Sequence, residues 1–494
     1  MDRVDFVTLA LLLGLPPTLF ALLAVGLDAK PVILWTDALL YLLVAAVTGF
    51  VLYARRRQDL RDTWRAVLRR PLGMAALVVL SAYGALGLVD SVHFRLPVSQ
   101  GEGGEVHYAG ESLSLFDLMA TPLREGVEKT YSAPLAITAF VKETVERADG
   151  TRVREYPRLR YGGAHLDDPS RHRADVAARA LWGAAQGALV AVAAFLLLAF
   201  LLARRHGWSW AEAAGRVLRG ETTLPWWSAL ATLTVLLVLA GAVVQLAGGY
   251  HVFGTDKVGN DVLYQALKSV RTGLIIGTLT TLVMLPFALV LGVMAGYFRG
   301  WVDDVIQYLY TTLSSIPGVL LIAAAVLMLQ VYMANHPELF ETEAERADLR
   351  LFFLCVILGI TSWTGLCRML RGETLKLREM DYVTAARALG RRPGAILARH
   401  LTPNVLHIVL ISVVLDFSGL VLAEAVLSYV GVGVDPSMHS WGNMINSARL
   451  EMAREPMVWW SLAAAFSFMF VLVLAANLFA DAVRDAFDPR HARN

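Results

Sequence analysis

Apolar residues in this chain gather into blocks of about 20, separated by short polar stretches and by one long one. A helix needs about 20 such residues to cross roughly 30 Å of hydrocarbon. Unpaired backbone groups are too costly in lipid for anything but helices or closed barrels. The blocks predict ten spanning helices, at approximately 6–27, 32–53, 72–90, 179–203, 227–248, 273–297, 304–332, 351–367, 404–429 and 458–480. A barrel would show alternating stretches of about ten residues, and none occur. The first block is too long for the apolar centre of a secretion signal and has no clear small-x-small cleavage site. With the second block it reads as a helical hairpin joined at Asp28–Pro31.

The long polar stretch, 91–178, reads as a small folded external insertion of mixed α and β character. Gly104–Tyr108 and Thr151–Tyr156 look like strands, and Leu115–Val127 and Leu135–Val145 like amphipathic helices. Phe116, Leu118, Leu123, Tyr131 and Phe140 supply more apolar mass than a disordered linker carries.

Lysine and arginine set the orientation. Arg55, Arg56, Arg57, Arg61, Arg65, Arg69 and Arg70 follow the second block; Arg204, Arg205, Arg216 and Arg219 follow the fourth. Arg368, Arg371, Lys376, Arg378, Arg387, Arg391, Arg392 and Arg399 follow the eighth. With ten spans these loops share one side, the cytoplasm, and both termini are expected there. The loop at 333–350 is rich in acids and falls on the other side.

Composition agrees: 56% of the 494 residues are hydrophobic and 17% charged, against about one quarter charged in soluble domains. A net charge of +2 gives no reason to expect nucleic acid as a partner. Cys355 and Cys367 would lie about 18 Å apart on one helix, beyond disulfide reach. No metal-ligand spacing, phosphate loop of the GxxxxGK[ST] type, or nucleophile–base constellation is present.

Several motifs stand in order in the second half. Gly254-Thr255-Asp256 and Gly259-Asn260-Asp261-Val262 form a glycine-punctuated turn. The segment that follows carries Val262, Leu263, Ala266, Leu267 and Val270 on one face, as a helix lying on the outer membrane surface would. Then come Ala295-Gly296-Tyr297-Phe298-Arg299-Gly300-Trp301-Val302-Asp303, with Gly273/Gly277 and Gly292/Gly296 at the spacing of close helix packing. Thr384-Ala385-Ala386 and Gly390 lie in a basic loop closed by Arg399-His400-Leu401-Thr402-Pro403-Asn404. Downstream are Glu424 to Gly433, Ser440-Trp441-Gly442-Asn443-Met444, and Arg484 to Arg490.

From about His251 onward these motifs resemble the permease subunits of dipeptide, oligopeptide and nickel ABC importers. Two positions depart from the pattern: Asn260 stands where arginine is common, and Thr384 replaces the glutamate of the EAA motif. The resemblance implies an all-α polytopic membrane protein of about ten transmembrane helices. Residues 1–90 and 179–226 supply extra helices, 91–178 an external, periplasmic domain, and 227–494 a six-helix permease core. It further implies that the cytoplasmic loop 368–403 couples to an ATPase through Thr384, Ala385, Ala386, Gly390 and Pro403. Small Ala385 and Ala386 would let a short helix enter a groove on that partner, and Gly390 would break it.

The implied partners are a second permease, two ATP-binding subunits, an external substrate-binding protein and membrane lipid, in a bacterial inner membrane. ATP and magnesium would sit on the partner subunits, with no cofactor on this chain. Gly254, Thr255, Asp256 and Asp261 form the family's external turn. Asp416 and Glu424 lie inside the ninth block, where a charge at mid-helix costs about 2.5–3.5 kcal/mol, and are candidates for the substrate path. An ion-coupled secondary transporter, which would call for an internal repeat, and a non-transporting membrane scaffold are the competing readings.

Overall fold

A computed structural model describes residues 29–100, 106–146, 152–339 and 342–487. Among them, nine helices are long and apolar enough to cross a membrane. They match nine of the ten expected blocks; the first, 6–27, lies outside the described residues. The protein is an all-α polytopic membrane protein with a few short strands outside the long helices.

The N-terminal part contains α1 (Trp35–Arg56), α2 (Gln58–Arg69) and α3 (Pro71–Asp90). The polar stretch 91–178 follows, with α4 (Leu115–Met119) and α5 (Thr121–Glu125). Next come α6 (His172–His206), α7 (Trp210–Arg219) and α8 (Trp226–Ala247). The rest is α9 (Val262–Phe298), α10 (Gly300–Ser315), α11 (Gly318–Asn335), α12 (Glu343–Ser362), α13 (Thr364–Leu377), α14 (Asp381–Ala388), α15 (Pro393–Ile396), α16 (Thr402–Tyr429), α17 (Trp441–Glu451) and α18 (Trp460–Phe487). Helix α9 is the hub, packing on α12, α13, α16 and α3. From this core the molecule extends through α18 to α3, then α8, then α6 at the edge.

Glycine sets the closest approaches. A Cβ on Gly183 would lie 2.2 Å from the Gly241 carbonyl oxygen, and one on Gly187 2.1 Å from that of Leu237, so α6 and α8 touch backbone to backbone. Gly292 and Gly296 do the same for α9 against α13, at 2.8 Å from the carbonyl oxygens of Cys367 and Arg371. Gly277 receives the ring of Phe417 and Gly273 that of Trp441. These glycines serve packing.

Three expectations need correction. Val262–Val270 is not a separate helix on the membrane surface but the opening turns of the 37-residue α9. Val262, Leu263, Ala266 and Val270 are all buried, and Val262, Ala266 and Val270 pack in one cluster with Tyr131, Trp441 and Trp460. The expected span 304–332 is divided into α10 and α11, since Pro317 holds Ile316 extended (φ −89°, ψ 131°). Leu135–Val145 is not helical. Leu135 sits at φ 57°, Ala139 and Thr138 bridge to Ser132 and Arg158, and the β-branched end becomes a strand.

The strands are short: β1 (Lys30–Val32), β2 (His93–Arg95), β3 (Pro97–Gln100), β4 (Val106–Tyr108), β5 (Leu113–Ser114), β6 (Glu143–Glu146) and β7 (Arg152–Glu155). They pair as β1-β2-β5 and as two antiparallel hairpins, β3–β4 and β6–β7. The expected strands within Gly104–Tyr108 and Thr151–Tyr156 coincide with β4 and β7. The helix expected at Leu115–Val127 is interrupted after Met119, with Pro122 opening α5.

A buried ion network joins the N-terminal helices to the hub. Arg271 on α9 is 5% exposed. Its guanidinium donates to Asp37 Oδ1 on α1 at 2.6 and 3.2 Å and to the Thr36 hydroxyl at 2.9 Å, and it lies 3.7 Å from Asp348 on α12. Asp348 in turn accepts from the Thr36 N–H at 3.1 Å, and His93 Nδ1 lies 2.8 Å from Asp37. One helical turn away, Lys268 pairs with Asp90 at 3.2 Å and with Asp117, which also accepts from the Tyr264 hydroxyl at 2.7 Å.

Removing one member of such a buried set leaves the others uncompensated, at about 3–5 kcal/mol. Arg271→Gln is therefore expected to lose stability on that scale in tryptophan-fluorescence melts. Asp37→Asn should cost far less in the Arg271→Gln background than alone; additive losses would contradict the network.

Candidate functional site

The loop after α13 begins with α14. Asp381 sits in its first turn, where a carboxylate suits the helix dipole. Val383 and Ala386, three residues apart, share the inner face and are 0% and 7% exposed in the cluster that holds Leu370, Ile396 and Leu401. The helix ends in a Schellman motif: Gly390, at φ 71°, donates to the Arg387 carbonyl at 3.0 Å, and Arg391 to that of Ala386 at 3.1 Å. Arg392 is extended ahead of Pro393, which opens α15.

Residues 397–401 form one π-helical turn and lead without a break into α16. Pro403 has no N–H to offer the carbonyl of Arg399, and a widened turn accommodates this. The structure thus places Gly390 and Pro403 at the two punctuation points of the loop. Thr384, Ala385, Ala388 and Gly390 are exposed and Leu389 is 84% exposed, so an apolar knob flanked by Arg391 and Arg392 faces outward. Ala386 does not take the outward position expected of it. Its methyl anchors α14 to the core instead.

The knob has a rigid back. Arg371 on α13 holds Asp303 on α10 through two hydrogen bonds of 2.6 and 2.7 Å. Arg378 donates to the Tyr297 carbonyl at 2.8 Å, the Arg387 guanidinium lies 5.5 Å from the Tyr297 ring centroid, and Asn404 reaches Tyr382 at 3.2 Å. The segment Ala295–Asp303 and α14 therefore form one block.

The second cluster is the turn at Gly254–Asp261. The Ser132 N–H donates to Thr255 Oγ1 at 2.7 Å, and the Thr255 N–H donates back to the Ser132 carbonyl at 3.1 Å. Trp460 Nε1 donates to the Thr255 carbonyl at 3.0 Å. Gly254 (φ 68°) and Gly259 (φ 85°) admit the chain of the external stretch; a Cβ on Gly259 would lie 1.8 Å from the Glu128 carbonyl oxygen. Asp256 Oδ1 accepts from the N–H groups of Val258 and Asn260 at 2.9 Å each. Asp261 caps α9 through the Tyr264 N–H at 3.0 Å and holds His251 Nδ1 at 2.7 Å.

Glu128 completes this cluster. It lies 3.4 Å from His251 Nε2 and accepts from the N–H groups of Arg160, Tyr161 and Gly162 at 2.7–3.0 Å. Burial opposes the charge on His251, but hydrogen bonds to Asp261 and Glu128 outweigh it and push the imidazole up to about 9. Burial likewise raises Glu128, and His251 with the three backbone donors outweighs it and brings the carboxyl down to about 2.

The two acids of α16 have different surroundings. Asp416 is half-buried and has no hydrogen bond or ion pair among the described residues. Glu424 is 4% exposed, accepts from the Ser428 hydroxyl at 2.6 Å, and faces the start of α17, where a Cβ on Gly442 would lie 2.7 Å from its Oε1. Its carboxylate is engaged within the chain, holding α17 against α16. Among the described residues no group of His, Cys, Asp and Glu has the arrangement of a metal site.

Residues 288–493, from the second half of α9 through α18, match the family of binding-protein-dependent transport system inner membrane components. The chain is 33% identical over 242 residues to the glutathione transport system permease protein GsiD of Pectobacterium atrosepticum, covering 49% of this chain and 73% of that protein. It is 30% identical over 248 residues to the oligopeptide transport system permease protein OppC of Mycobacterium bovis, covering 50% and 79%. With the dipeptide transport system permease protein DppC of Lactococcus lactis it shares 29% identity over 240 residues, covering 49% and 64%. The chain belongs to this permease family. It is a multi-pass inner membrane permease component of an ABC importer, and the α14 loop, its arginine-backed support and α16 all fall in the matched residues.

The permease's turn at Gly254–Asp261 gives a pH prediction. Its raised His251 contributes stability that is complete below the ordinary 6.5 and is lost as pH rises through about 9. The lowered Glu128 contributes stability present above the ordinary 4.5 and lost as pH falls toward about 2. Amide exchange across residues 126–132 should therefore be slowest, after correction for intrinsic rates, between pH 4.5 and 6.5. His251→Gln should remove the alkaline limb; an unchanged limb would contradict the assignment.

Proposed function

We propose that this chain is the permease through which an ATP-driven importer moves peptides into the cytoplasm, with ATP and magnesium bound by separate subunits. The observation that carries the coupling is continuity. The exposed knob at Ala385–Gly390 is locked to the ends of α9, α10 and α13, and residues 393–429 run on as one helix. At 1.5 Å per residue, Asp416 lies about 35 Å along that helix from Pro393. A pull on the knob by a closing ATPase pair would tilt α16 as a lever and switch the core between inward-open and outward-open states.

The complete importer would contain two ATPases, a second permease and an external binding protein. The peptide names of the relatives support peptides as the substrate class in this reading. The basic loops put the knob in the cytoplasm and, with ten spans, both termini there. The external stretch 91–178 acts in this reading to hold the family's turn, because Glu128, Thr130 and Ser132 supply its hydrogen bonds. Asp416, half-buried and without a hydrogen bond or ion pair among the described residues, is assigned to the substrate path. Glu424 is assigned to positioning α17.

Affinity purification from native membranes should recover two ATP-binding subunits and a second permease, identified by mass spectrometry. Gly390→Trp, strained at φ 71° and bulky at the knob, should reduce their recovery at least tenfold with the fold intact. A transport-competent homo-oligomer without an ATPase would overturn the coupling.

In proteoliposomes of the intact complex, Asp416→Asn should change the substrate dependence of uptake while leaving ATPase subunits bound. Uptake unchanged at all substrate concentrations would remove Asp416 from the path.

A further inference from the structure

Helix α6 stands at the edge of the molecule and packs principally on α8. Leu181, Trp182, Leu189, Leu197 and Leu201 are each more than half exposed along it, as expected of a lipid-facing helix. At the end on the coupling-loop side the character changes. Gly207, at φ 69°, turns the chain, Ser209 caps the short α7, and Gly220, at φ 71°, turns it back toward α8.

Only Ala213 and Val217 of α7 are buried. Its other faces carry Trp210, Leu218 at 72% exposure, and Arg219. Trp227, at the start of α8, is 47% exposed beside them.

The charges here are unequal. Residues 204–221 contain four arginines and two glutamates. Arg216 is answered by Glu212 at 2.7 Å and lies 4.2 Å from the Trp208 ring centroid. Arg204 lies 4.7 Å from the centroid of Phe200 and is otherwise exposed, and Arg205 and Arg219 are exposed. Exposed tryptophan and leucine beside exposed guanidinium groups, at the end of a lipid-facing helix, match a phospholipid's acyl boundary and its charged headgroup.

We propose that this end of the α6–α8 pair is a binding site for anionic glycerophospholipid. Arg204, Arg205 and Arg219 would meet the headgroup phosphate, with Trp210, Leu218 and Trp227 at the acyl boundary. An anionic lipid fits better than a protein partner because the basic cluster continues the lipid-exposed surface of α6. The site lies outside the matched permease residues, in the extra helices, so it stands independently of the coupling proposal.

The test uses the full-length protein in nanodiscs of phosphatidylcholine with increasing phosphatidylglycerol, reading retained lipid by native mass spectrometry. Phosphatidylglycerol should be retained over phosphatidylcholine. The Arg204→Gln, Arg205→Gln, Arg219→Gln triple variant should lose at least tenfold of that preference, and the three matching lysine substitutions should keep most of it. Should the triple variant fail to fold, Arg219→Gln alone, at the exposed end of α7, should lower retention on the order of fivefold.

Equal retention of both lipids, or an unchanged Arg219→Gln, would overturn the site. Competition by millimolar inorganic phosphate would show a simple anion site and also overturn it. So would a triple variant that sheds a co-purifying protein while keeping its lipid.

Discussion

A guanidinium that water barely reaches must be answered from inside the protein, and Arg271 is answered by residues the chain brings from far away. Asp37 lies 234 positions earlier and Asp348 77 positions later. Their convergence fixes the outer ends of α1 and α12 on α9, and the neighbouring Lys268 does the same for α3 and α4 through Asp90 and Asp117. The N-terminal helices are thereby wired into the permease at its most connected helix. With α9 held, its first turns can carry the external turn, and its far end can meet α13 through Gly292 and Gly296.

The same helix connects the two functional regions. At one end Asp261 caps it and anchors His251 and Glu128. At the other, the Tyr297 carbonyl receives Arg378 from the segment leading to the knob, and Asp303, just beyond on α10, receives Arg371 from α13. Charged and polar side chains placed just beyond the apolar stretches tie down both ends. On the proposed coupling, α9 would stay fixed while α16, with its π turn and Pro403, moves beside it.

Much of this was legible in the sequence because its causes are local. Span length follows from runs of apolar residues, the end of α14 from Gly390, and the entry to α15 from Pro393. The break before α11 was equally local and was missed, although Pro317 marks it. Ala385 and Ala386 could not be sorted by size, since the inward position is chosen by Val383 three residues before. The ion network left only a partial mark. Asp37 sits inside an expected span, an expense that implies a partner, but nothing local names Arg271, which stands two residues outside the next relevant block. Leu135–Val145 has helical spacing, and only its pairing with residues 152–158 makes it extended.

On the proposed coupling, an ATPase grips this permease at the knob at the end of α14. The most direct measurement places a photo-crosslinking amino acid at Leu389, the most exposed apolar side chain of that loop, and irradiates intact membranes. Coupling at this knob predicts a covalent product with an ATP-binding subunit, diminished when nucleotide holds the ATPases in a different state. Crosslinks to lipid or to a second copy of this chain alone, in membranes that transport substrate, would contradict it.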